Sequence, residues 1–139
     1  MGREDVSARC NAIEEFYEFM LAYAGQGLSG KENSQSSSQA RDFLNRAVEA
    51  LTGLVEALAA TVKQENLQPA ERYSAFQSVL ERDARDSLAT IQLVLAQPTI
   101  SSQLIDNLNA SIHLRALLTD LFLIDEILKP QQIAAKPPQ

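Results

Sequence analysis

The chain has 139 residues, a hydrophobic fraction of 45% with no Trp and only five Gly and five Pro, and a formal net charge of −6. That length suits one domain, and a composition rich in Ala, Leu, Glu, Gln and Arg excludes collagen, disorder throughout and turn-dense all-β folds in favour of helix. The negative field disfavours nucleic acid and anionic membrane surfaces as partners, and a lone cysteine, Cys10, leaves no internal disulfide, so a reducing cytoplasm is the expected setting.

From about Arg3 to Gln26 the residues Val6, Cys10, Ile13, Tyr17, Met20 and Ala24 alternate in steps of four and three, the seam of a helix packed nearly parallel to its neighbours. Phe16, Phe19, Leu21 and Tyr23 widen this stripe, while Glu14, Glu15 and Glu18 mark the solvent side. The N-terminus lacks the basic-then-apolar run of a signal peptide, and Val6 stands where a myristoylation signal has a hydroxyl residue, so neither export nor a lipid anchor is expected.

Gly25, Gly27 and Gly30 can stop a helix, and a wholly polar run follows, so residues 25–38 are expected to form a flexible linker. The second helix is expected from about Ala40 to Asn66, with Leu44, Val48, Leu51, Val55, Leu58 and Val62 on its seam. Glu49 and Glu56 interrupt its apolar run, which falls short of the ~20 residues of a membrane span. On its back Ala50, Gly53, Ala57 and Ala60 form a stripe of small residues. That stripe is either a surface for a closely approaching second backbone or simply exposed Ala on a good helix.

Pro69 suits the first turn of a third helix, about Pro69 to Ala96, and the short connection before it implies antiparallel neighbours. Tyr73, Phe76, Leu80, Ala84, Ile91 and Val94 share one face of that helix. Glu81 with Arg85 and Arg82 with Asp86 have the spacing of surface ion pairs. Thr99 or Ser101 can cap a fourth helix reaching about Leu128. Leu108 and Ile112 project to a different side from Leu114, Leu117, Leu118, Leu121, Ile124 and Leu128, so this helix either breaks near Asn109 or its halves meet different partners. Residues 129–139, rich in Pro, are expected to be a disordered tail.

The expected fold is therefore all-α: an up-and-down antiparallel bundle of four main helices forming a single domain over residues 1–128. No catalytic, cofactor or metal site is expected. A di-iron bundle needs two Glu-x-x-His pairs, whereas His113 is the only histidine and Ala110 stands three positions before it. One His and one Cys cannot close a zinc site, the haem attachment motif is missing, and the glycines lack the context of a phosphate loop. Cys10 reads as an inert core thiol. Asp125, between Leu121 and Leu128, is the candidate for a buried acid of raised pKa, against the plainer reading of a carboxylate at the stripe's edge that meets water or an Arg.

Long helices with surplus apolar surface point to a non-catalytic interaction protein: an adaptor, assembly factor or regulator with a protein partner, self-associating as a homodimer. The candidate contact is the aromatic patch of Phe16, Phe19 and Tyr23 with the small-residue face of Ala50, Gly53 and Ala57; ordinary core is the equal alternative for the aromatics. The rival class is a small-ligand or pigment-binding bundle with a cavity lined by Phe16, Met20, Tyr73 and Phe76.

Overall fold

The computed structural model describes residues 2–27 and 34–134, and these form six helices and no strand. They are α1 (Arg3–Ala24), α2 (Ser34–Leu51), α3 (Leu54–Gln64), α4 (Ala70–Leu95), α5 (Ser102–Ala110) and α6 (Ile112–Ala134). Among the described residues no helix is long and apolar enough to cross a membrane.

In α1 the buried residues are Val6, Cys10, Ile13, Phe16, Met20 and Tyr23. Phe16 and Tyr23 thus replace Tyr17 and Ala24 on the seam. A repeat near 3.5 places both candidates of each pair beside the seam, and the ring that loses least on desolvation goes in. Phe16 has no polar atom, and the Tyr23 hydroxyl donates to the Ile100 carbonyl at 2.6 Å. Tyr17 stays half-buried, with the Arg115 guanidinium 5.8 Å from its ring centre.

Gly27, at φ +67°, lies in the turn after α1. The expected linker is shorter than 25–38, because α2 already begins at Ser34. A polar stretch gives no hydrophobic period to read, yet a helix nucleated by the core extends into it at one hydrogen bond per residue. Residues 28–33 lie outside the described residues.

The expected second helix is two helices. Gly53 takes φ +93°, a conformation glycine reaches without steric cost, and the chain turns there between α2 and α3. What approaches Gly53 is a guanidinium and not a second backbone: a Cβ there would sit 3.2 Å from Arg9 Nη2. Arg9 Nη1 donates to the carbonyls of Glu49 (3.0 Å), Ala50 (3.0 Å) and Thr52 (2.6 Å), and its Nε lies 3.2 Å from Asp5. A side chain of α1 therefore satisfies the carbonyls that the end of α2 leaves open.

The other long helix also divides. Ser101 accepts from the Leu104 amide at 3.1 Å to cap α5, and Ser111 accepts from the Leu114 amide at 3.2 Å to cap α6, so the break falls at Ser111, two residues after Asn109. α6 then runs to Ala134, past the expected end at Leu128; the part of the 129–139 tail up to 134 is helical and 135–139 lie outside the described residues. Pro130 forfeits one backbone bond, but the Gln, Ile and Ala residues after it still favour helix.

α1 packs against α2 and α3 on one side and against α5 and α6 on the other, and α4 does the same from across the core. At one end Arg3, which pairs with Glu65, donates to the Leu128 carbonyl at 2.7 Å. At the other, Ser102 Oγ donates to the Tyr23 carbonyl at 2.7 Å, and Arg41 donates to Leu95 (2.8 Å) and Gln97 (2.6 Å). The start of α1 thus meets the ends of α3 and α6, and the start of α2 meets the end of α4.

Candidate interaction face on α4 and α6

α6 is apolar on two sides. Leu114, Leu117, Leu121, Ile124 and Leu128 enter the core, while Ile112, Leu123 and Ile127 remain 77%, 51% and 43% exposed. Eleven residues are close to three helical turns, so Ile112 and Leu123 share one outer stripe, and Ile127 continues it one turn on. A helix with apolar residues on both sides is ordinarily covered on both.

Alongside this stripe runs α4. Pro69, Arg72, Tyr73 and Phe76 of its N-terminal part and Leu123, Ile124 and Ile127 of α6 line a groove of about 310 Å³. Val79, 39% exposed, lies one turn beyond Phe76 and extends the apolar rim.

Farther along the same two helices the face turns acidic. Asp120, one turn before Leu123 and Ile124, is only 6% exposed, and its carboxyl is hydrogen-bonded to that of Asp83 on α4. Two carboxyls can share such a bond only if one keeps its proton. Burial first, then the hydrogen bond and charge of Asp83, push Asp120 up to about 7. Its Oδ2 is buried without a hydrogen-bond partner. Next along, Asp86 lies 4.0 Å from His113 Nδ1, and Ser87 Oγ donates to the His113 carbonyl at 2.9 Å.

The residues singled out from the sequence lie elsewhere. Phe16 and Tyr23 are buried in this chain's own core. Phe19 is half-buried, stacked on Phe43 with ring centres 4.3 Å apart and tilted against Tyr23 at 5.4 Å. Ala50 and Ala57 are also core, and Gly53 lies under Arg9. Phe16, Tyr23, Ala50 and Ala57 are thus covered by the chain's own helices, while Phe19 and Gly53 stay partly exposed. Of the residues expected to line a ligand cavity, Phe16 and Met20 are completely packed, whereas Tyr73 and Phe76 do border the α4–α6 groove.

Asp125 is partly exposed and 3.4 Å from Lys129 Nζ, so the buried acid of α6 is Asp120 and not Asp125. Both flank the apolar stripe in helical projection, and only the close packing of α4 decides which edge is covered. One signal was available: Asp120 stands three residues after Leu117 and four before Ile124, on the same face as both.

Cys10 sits in the core. Burial, followed by the charges of Asp125 and Glu14, pushes its thiol up to about 12, which leaves almost none of the reactive thiolate near neutrality. Among the described residues no three His, Cys, Asp or Glu side chains gather as a metal site would require. Compared with protein-family models, with curated proteins and with solved structures, the chain matches none.

Proposed function

We propose that the chain is a non-catalytic helical interaction protein, an adaptor, assembly factor or regulator, that docks a protein partner on the outer face of α4 and α6. In this reading α1, α2 with α3, α4, and α5 with α6 act as the four rods of an up-and-down antiparallel bundle, whose end-to-end contacts alternate in that order. The observation that carries it is the second apolar stripe of α6. Leu123 and Ile127 line one groove with Tyr73 and Phe76 of α4, Val79 lies one turn beyond Phe76, and Ile112 continues the stripe about 16 Å along α6, although a chain of this size could have placed polar residues there. The lone, unreactive thiol favours a reducing compartment such as the cytoplasm.

The test is gentle crosslinking in native lysate with the wild type and with Leu123→Glu/Ile127→Glu, followed by mass spectrometry of near-stoichiometric species. A protein recovered with the wild type and lost with the variant supports the docking face; identical recoveries refute it. A second reading, a small apolar ligand in the groove, draws on Tyr73 and Phe76 and on a volume of about 310 Å³, at the low end of the ~300–1,000 Å³ of ligand sites. Intact mass and absorbance of the purified protein decide it, since a carrier retains a non-protein molecule and an adaptor does not.

A further inference from the structure

The charges along this face are arranged about its centre. On α4, Arg72, Val79 and Asp86 are spaced by seven residues, which returns to the same side of a helix about 10 Å along its axis each time. Val79 therefore has a cation one step to one side and an anion one step to the other. Arg72 is exposed and borders the apolar groove; Asp86 is partly exposed and lies in the acidic half.

An isologous contact brings each patch against itself reversed, so a surface fits it only if its two halves are complementary about the axis. Resting on the docking-face reading, we propose that the occupant is a second copy of this chain. The two-fold axis runs beside Val79, with Arg72 of each protomer meeting Asp86 of the other. In that arrangement the groove end of one protomer lies over the acidic end of its partner, so the carboxylates of Asp83 and Asp86 face a guanidinium and not each other. A parallel arrangement would set acid against acid.

Area agrees with this. At their observed exposures Leu123, Ile127 and Val79 offer on the order of 240 Å² of apolar side chain, and Ile112, at the acidic end of α6, about 140 Å² more, taking about 180 Å² for a large apolar side chain fully in water. Together that is about half of the ~800 Å² per partner in a standard interface, with polar side chains supplying the remainder. Arg72 and Asp86 are among those polar side chains.

The test is sedimentation equilibrium of the purified full chain over a wide concentration range. The wild type is expected to form a concentration-dependent dimer that weakens with salt. Arg72→Asp and Asp86→Arg should each weaken it by roughly tenfold or more, because each places like charges in contact twice per dimer. The double variant should restore it, and Leu123→Glu should abolish it with helicity unchanged. A wild-type monomer at every concentration overturns the inference, as do single reversals without effect or a double variant that fails to recover. If the wild type stays monomeric while crosslinking recovers a different protein that Leu123→Glu/Ile127→Glu loses, the self-pairing falls and the docking face stands. If neither is found, both fall.

Discussion

Asp120→Asn should stabilise the protein at alkaline pH and leave it little changed in acid. Asp120 is 6% exposed against Asp83, and its pKa rises from 3.8 in the reference state to about 7 in the fold. The fold therefore favours the protonated carboxyl. Between these two values the native state holds a proton that the unfolded chain has released, so this group's contribution is complete below the unfolded value. It falls as pH rises and is lost once pH passes the folded value. At ~1.4 kcal/mol per pH unit the loss is on the order of 4 kcal/mol, shared between the two coupled carboxyls. Asn is isosteric, stays neutral, and offers an amide donor to the Asp83 carboxylate. Urea unfolding followed by circular dichroism at about pH 5 and about pH 8 measures the effect, and the difference between variant and wild type removes the contributions of other acids. The variant should gain a few kcal/mol at the higher pH and much less at the lower. An equal change at both pH values, or a variant weaker than the wild type at about pH 8, would refute the reasoning.

Arg9→Ala should cost about 2 kcal/mol in the same assay, because it strips a charged donor from three carbonyls at the end of α2. Gly53→Ala should destabilise by roughly 1–2 kcal/mol through the positive φ alone, and by more where its Cβ meets the Arg9 guanidinium; a neutral result would mean the turn between α2 and α3 is not held as described. Cys10 should resist alkylation by iodoacetamide in the native protein near neutral pH and react stoichiometrically once urea unfolds it, as read by intact mass. Leu123→Glu and Ile127→Glu, both at exposed positions, should leave the unfolding free energy within about 0.5 kcal/mol of wild type when both are measured at concentrations where the wild type is monomeric, which separates loss of docking from loss of fold.

Much of the architecture was written in the periodicity. The spacing of Val6, Cys10, Ile13 and Met20, and of Leu44, Leu51 and Leu58, marked helices and their inward sides, because an apolar face must be buried whatever covers it. A cap at Thr99 or Ser101, Pro69 at a helix start and, as one of two readings, a break near Asn109 were also legible, since these depend on a few neighbouring residues; the structure selects Ser101 and breaks the helix at Ser111. Where local preference was nearly balanced, the partners decided. Phe16 went inside in place of Tyr17, and Gly53 became a turn because Arg9, forty-four positions earlier, could satisfy the carbonyls that the turn exposes. The aromatic patch and the small-residue stripe marked burial without saying what would bury them; the chain's own helices cover Phe16, Tyr23, Ala50 and Ala57 and leave Phe19, Gly53 and Ala60 partly exposed. Asp120 and Asp125 flank the same stripe of α6, and only the approach of α4 buried the first beside Asp83 and left the second beside Lys129. The outer stripe of Ile112, Leu123 and Ile127 likewise became a surface only when the core had taken the other side of α6, because one helix pattern can serve two faces and packing chooses between them.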